Sequence, residues 1–167
     1  MRTMMAVISL LLVLGGALAC AAPPPAPGPG EYWTGGAELT EVWRQFYRPE
    51  VPHEPELDDP LIAAGPKMVS AICEAVKHKD MKYRRYAIGA LGHLADRGAL
   101  STLTTILEDQ TEEEYFRADA LQAIYQIDSA RGKELAARYR DAGEMLAPLA
   151  QSVLKGEAWL REPSEEQ

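Results

Sequence analysis

The stretch Tyr83-Arg84-Arg85-Tyr86-Ala87-Ile88-Gly89-Ala90-Leu91-Gly92-His93-Leu94-Ala95-Asp96 decides the fold, because its pattern recurs further along the chain. Within it Tyr83, Ala87, Ala90, Leu91 and Leu94 are spaced three and four apart, which places them on one face of a helix. A shift of 33 residues superposes Arg84 on Arg117, Ala87 on Ala120, Ile88 on Leu121, Ala90 on Ala123, Leu91 on Ile124 and Leu94 on Ile127. Upstream, Ile72 and Val76 correspond to Leu103 and Leu107 once the second inter-helix turn is made two residues longer. Self-similarity at this period marks a unit that cannot bury its apolar face alone and must stack on copies of itself.

Reading outward gives helices over 66–77, 81–95, 98–108, 112–127, 129–140 and 143–155, with no strand pattern. Asp59-Pro60 reads as an N-cap with proline at the first helical position, and Gly65-Pro66 as a second start. Thr111-Glu112-Glu113-Glu114 and Asp141-Ala142-Gly143-Glu144 both carry capping-box spacing. The three glutamates read as first-turn carboxylates facing the helix dipole. A third pair of helices over 129–155 has a looser pattern, with Leu135, Met145, Leu146, Leu149, Val153 and Leu154 as its expected core.

The 83–96 stretch, followed by a short helix over 99–107 and by Phe116-Arg117-Ala118-Asp119-Ala120-Leu121, resembles HEAT repeats. More narrowly, it is similar to the short bacterial type first associated with phycobilisome lyases. The resemblance covers 66–128 well and 129–155 weakly. It implies an all-α fold, a short right-handed α-solenoid of about three HEAT-like helical hairpins over 60–156, which the residues before it, read below, precede with a disordered tether and a short amphipathic helix. It also implies that Asp80 and Asp109 at the turns, and Arg84 and Arg117 near the start of the second helices, brace adjacent repeats. The longer second turn departs from the family spacing between Asp109 and Arg117. HEAT repeats imply a scaffold for protein contacts and no chemistry of their own.

The amino terminus reads as an address. Met1 and Arg2 precede an apolar run over 4–14 and the small residues Gly15, Gly16, Ala17, Leu18 and Ala19, the layout of a secretory signal peptide over 1–19. The apolar run is shorter than the roughly 20 residues a spanning helix needs. Ala17-Leu18-Ala19-Cys20 resembles the lipobox of bacterial lipoproteins, which implies cleavage between Ala19 and Cys20 and acylation of the Cys20 thiol. Ala17-x-Ala19 equally suits ordinary signal peptidase, which would release a soluble protein. The Pro/Gly-rich stretch after Cys20 reads as a tether over 20–36 in which the ten residues 21–30, at about 3.1 Å each, span on the order of 30 Å. Over 37–48, Leu39, Val42, Trp43, Phe46 and Tyr47 form one apolar helix face, read either as a cap on the repeat stack or as a recognition helix. An acidic, proline-rich linker with His53 occupies 49–59, and the tail 157–167, with Trp159 and Leu160, is expected to cover the far edge.

The 167 residues carry 17 Lys+Arg against 25 Asp+Glu, a formal charge of -8, which argues against a general nucleic-acid binder. Two cysteines cannot form a disulfide scaffold, and His53, His78 and His93 are too scattered for a metal cluster. Ser70, Ser101 and Ser152 have no histidine partner, and no glycine-rich phosphate loop follows a strand. We therefore expect no enzyme, no cofactor and no small-molecule substrate. Projecting both second helices at 100° per residue points Lys82, Arg85, Gly89, Gly92 and Asp96 outward, with Tyr115, Ala118, Gln122, Tyr125 and Ser129 as their counterparts. The strip Lys82, Arg85, Tyr115, Gln122 and Tyr125 is the expected partner surface, beside a surface His93, while Cys73 is expected in the core. The function expected is an exported, lipid-anchored scaffold that binds another protein of the bacterial envelope and meets the membrane through acylated Cys20. The alternatives are a structural spacer without a specific ligand, and bilin lyase-like or chaperone activity.

Overall fold

Asp59 opens the repeat region as its sequence predicts: its carboxylate accepts the Leu61 amide at 2.8 Å, and Pro60 occupies the first turn. The computed structural model describes residues 26–48 and 59–158. The expected signal peptide over 1–19, the expected cleavage and acylation position at Ala19 and Cys20, linker residues 49–58 and the tail from Trp159 and Leu160 lie outside the described residues.

Eight α-helices lie within the described residues: α1 Thr40–Phe46, α2 Pro60–Ala63, α3 Val69–Ala75, α4 Arg84–Leu94, α5 Leu100–Glu108, α6 Glu114–Ile127, α7 Ser129–Ala136 and α8 Leu146–Lys155. No strand occurs among them. Helices α3 and α4, α5 and α6, and α7 and α8 pair as hairpins, and α4, α6 and α8 stack successively into one row. The stack is held by a continuous apolar core that runs from Ile72, Leu91 and Leu103 through Leu121 and Ile124 to Leu135, Leu146 and Val153, all fully buried. An all-helical, HEAT-like α-solenoid is therefore the observed fold.

The first end is sealed by aromatics. Trp43 and Phe46 on α1 are fully buried, Tyr47 just beyond α1 is 4% exposed, and the rings of Phe46 and Tyr47 lie 6.2 and 6.5 Å from that of Tyr83. Burial pushes the Tyr47 phenol up to about 12. The amphipathic helix thus packs its apolar face on α2 and the first repeat. Tyr83 itself sits at φ 59°, a left-handed conformation that costs a non-glycine residue about 1–2 kcal/mol. Its ring contacts with Phe46 and Tyr47 hold it there.

The tether expected to run to residue 36 ends sooner. The Gly30 carbonyl accepts the Lys82 amide at 2.8 Å, Tyr32 stacks on His78 at 3.8 Å and donates its hydroxyl to Asp80 at 2.7 Å, and Thr34 bonds the Ala71 carbonyl at 2.6 Å. Residues 28–34 form a strap across the turn between α3 and α4. A side chain at Gly30, where φ is +72°, would meet the Asp80 carbonyl at 2.9 Å.

Three helix starts differ from the sequence reading. Helix α4 begins at Arg84 rather than near 81 because Tyr83 is left-handed. Helix α6 begins at Glu114, and Thr111 bonds Asp109 instead of capping the helix. Helix α8 begins at Leu146, with its first amides capped from outside: the Glu114 carboxylate accepts the Met145 and Leu146 amides at 3.0 and 2.9 Å. That reach needs Gly143, at φ +67°, because a Cβ there would lie 2.0 Å from the Glu114 carboxylate. Met145 consequently stands outside the helix and is 49% exposed, and Leu154 falls off the buried Leu146–Ala150–Val153 face, so neither belongs to the core. Helix α7 stops at Ala136, where tighter turns carry the chain to Tyr139.

Candidate functional site

The seam between α4 and α6 is built by a repeated device. Arg84 donates from Nε to the Val76 carbonyl at 2.7 Å, and Arg117, one repeat later, donates from Nε to the corresponding Leu107 carbonyl at 2.9 Å. Each guanidinium then faces a ring of the following repeat: Arg84 over Phe116 at 4.6 Å and Arg117 over Tyr139 at 5.6 Å. Arg84 is 2% exposed and also bonds the buried Glu112 at 2.7 Å. The turn aspartates do not meet these arginines. Asp80 accepts from Tyr32, while Asp109 accepts from Lys79 at 2.7 Å and from the Thr111 amide and hydroxyl.

Further ties join one repeat to the next. Arg85 grips Asp119 through two nitrogens at 2.6 and 3.1 Å, Arg97 meets Asp128 at 2.7 Å, and Arg138 pairs with Glu108. The partners are about one repeat apart in sequence, which is the signal that would have found them: opposite charges at the repeat period rather than at helix spacing. Hydrogen bonds from the Met145 and Leu146 amides hold the Glu114 carboxyl below the usual range, and those from Lys79 and Thr111 do the same for Asp109. Asp119 is shifted the other way, raised by burial despite Arg85.

The expected partner strip is only partly a surface. Tyr125 is 2% exposed and is corrected to a core residue, because α7 returns against α6 there and Gly132 seats directly on it. Gly92, its counterpart in the first repeat, is buried for the same reason: a Cβ would come within 1.9 Å of the Gln126 side chain and 3.0 Å of the Ala123 backbone. Ala118 is buried as well, and His93, expected at the surface, is 9% exposed. Tyr115 is half-buried against Phe116, and Lys82 turns to Glu31 at 3.6 Å and to the Tyr83 ring. Cys73 is half-buried, and its thiol is pushed up by burial.

Arg85 and Gln122 do come together, on a groove of about 340 Å³ between α4 and α6 with α2 as a third wall. Its apolar lining includes Ile62, Tyr86, Gly89, Ala90 and Ala123, and its polar groups include Arg85, His93, Asp119, Gln122 and Gln126. Tyr86 is 44% exposed, one of three large apolar side chains that face solvent among the described residues. Sequence projection missed Tyr86 and Ile62 because it assumed that solvent lies opposite the buried face. In a stacked array the open sector lies to one side, between successive second helices. Among the described residues no three or more His, Cys, Asp or Glu side chains are grouped to hold a metal ion, and no helix is long and apolar enough to cross a membrane.

A family model described as HEAT repeats matches residues 69–155, the span from the start of α3 to the end of α8. The chain belongs to the HEAT-repeat family. Comparison with curated proteins and with solved structures gives no match. In this HEAT-repeat protein the seam arginines serve the stack, and the groove on the row of second helices is where the stack leaves apolar surface open.

Proposed function

We propose that this HEAT-repeat protein is a non-catalytic scaffold, exported and held at a bacterial membrane by acylated Cys20, which docks another envelope protein in the α2–α4–α6 groove. The groove carries the reading. It is concave, apolar and rimmed by a few polar groups, the make-up of binding sites in general. The repeats are taken to be of the short bacterial type that resembles phycobilisome-lyase HEAT units, with scaffolding as their role. The strap refines the tether: with Gly30 to Thr34 bound to the domain, residues 21–29 separate Cys20 from it, a reach of at most about 32 Å. Two or more acyl chains anchor stably where one does not.

A photocrosslinking amino acid placed at Tyr86 in cells tests the docking face, with the same group at Ser70, exposed on α3, as control. One envelope protein joined through position 86 and not through position 70 is the expected result. Equal labelling from both positions would defeat the groove as the docking face. The mass of the amino-terminal peptide from the same preparation reports acylation, and a Cys20→Ser protein that stays wholly in the membrane fraction would defeat the anchor.

A further inference from the structure

Two left-handed residues other than glycine bound α4: Ala95 after its last turn, where such a closure is common, and Tyr83 before its first, where it is not. A helix begun without the reversal at Tyr83 has a cap in place. Asp80 stands immediately ahead of Met81, Lys82 and Tyr83, the position from which a carboxylate accepts the second or third amide of a helix, here that of Lys82 or Tyr83. A start near 81 is also the one the sequence predicts. The strap over 28–34 takes both partners of that start: Tyr32 donates its hydroxyl to Asp80 at 2.7 Å, and the Gly30 carbonyl accepts the Lys82 amide at 2.8 Å.

The same strap reaches Tyr83 through the end of α1. The Tyr32 amide donates to the Tyr47 hydroxyl at 3.0 Å, the Tyr47 ring lies 6.5 Å from that of Tyr83, and the Tyr83 ring meets that of Tyr86, on the groove, edge to face at 6.4 Å. As α4 stands, the Arg84 and Tyr86 amides bond carbonyls three residues back, Met81 at 3.3 Å and Tyr83 at 3.0 Å, and Ala87 bonds four back, to Tyr83, at 3.3 Å.

We infer that the strap and the start of α4 form a two-state switch: with the strap docked, Tyr83 is left-handed and α4 begins at Arg84; with the strap released, Asp80 caps an α4 that begins at Met81. In the released state Arg85 and Tyr86 gain carbonyls four residues back, those of Met81 and Lys82. The docked state carries the left-handed Tyr83, so the contacts of the strap and of α1 decide between the two. The strap continues directly from residues 21–29, so a pull on the tether acts on the docked state, and the added turn re-aims the Tyr83 ring beside Tyr86. The switch is a property of this chain; its use, carrying the state of the tether to the groove, rests on the scaffold reading.

The test is amide hydrogen exchange on the full-length protein and on variants that break the Tyr32–Asp80 bond from its two sides. Tyr32→Ala frees the strap and leaves Asp80 to cap, so the Arg85 and Tyr86 amides should exchange about tenfold more slowly. Asp80→Ala frees the strap and removes the cap, so it should give no such slowing. Gly30→Ala, whose Cβ meets the Asp80 carbonyl at 2.9 Å, repeats the first case by another route, and the amides of Leu121 and Ile124 in the core report that the fold is intact. Faster or unchanged exchange at 85 and 86 in both Tyr32→Ala and Gly30→Ala, or equal slowing in Tyr32→Ala and Asp80→Ala, would overturn the switch. A fluorotyrosine at position 86 reads the link to the groove: its fluorine resonance should move in Tyr32→Ala, and an unmoved resonance beside slowed exchange would overturn that link. Neither readout needs a partner, so the scaffold reading fails separately, by the crosslink from position 86.

Discussion

Gly89 and Gly92 lie three residues apart on α4 and look out on two different regions, the groove and the seam. At position 92 a methyl group would displace the Gln126 side chain and press on the Ala123 backbone of α6; at position 89 there is open space. The carboxylates differ in the same way. Glu114 and Asp109 at the repeat junctions are shifted down by hydrogen bonds, and Asp119 beside the groove is shifted up by burial. Groups whose surroundings satisfy them maintain the fold.

Breaking the seam should cost most. Arg84→Met leaves Glu112 buried without its cation, and loss of one partner of a buried pair costs about 3–5 kcal/mol, read by urea unfolding. Adding Glu112→Leu should recover a large part of that loss, because it removes the stranded charge; no recovery would mean that Arg84 acts through its Val76 carbonyl bond and its packing on Phe116. Gly92→Ala should follow at about 1–3 kcal/mol, the usual cost of forcing atoms into a packed contact. Gly89→Ala should reverse the sign and stabilise by about 1 kcal/mol. Equal effects at 89 and 92 would erase the distinction between the two regions.

Acid sharpens the same contrast. A carboxylate with a depressed folded pKa contributes stability that is present above its unfolded value and is lost as pH falls through the folded one. Glu114 therefore supports the fold at neutral pH and ceases to do so in acid, so Glu114→Ala should weaken the protein at pH 7 and differ little from it below the folded Glu114 pKa. Asp119, raised in the folded state, opposes folding when ionised, and that opposition fades as pH falls from its folded pKa and is gone below its unfolded one. Asp119→Asn should remove this second, opposite component from the pH profile of stability. Denaturant midpoints taken across pH 3–7 compare the two variants.

Much of the fold was legible because burial repeats. A helix buries one face per turn, and stacked hairpins repeat that face, so the matches from Arg84/Arg117 to Leu94/Ile127 mark a periodic core. The starts at Asp59-Pro60 and Gly65-Pro66 are local, and the structure has both. The missed starts at Glu114 and Leu146 are not local: Glu112 is diverted to Arg84 in the previous repeat, and the cap of α8 arrives from α6 thirty-odd residues away. Sequence spacing alone cannot express such long-range demands on a side chain. Site residues divided along the same line. Arg85 and Gln122 were placed on an open face, but Tyr125 was not, because which side of a helix the next repeat covers depends on how the hairpins stack.

The central claim is that the groove beside Gly89 is a docking surface rather than a solvated face. The most direct measurement is the in-cell crosslink from position 86, compared with that from position 70. The account predicts one dominant protein adduct from position 86 that position 70 does not give. Equal labelling from both positions would contradict it.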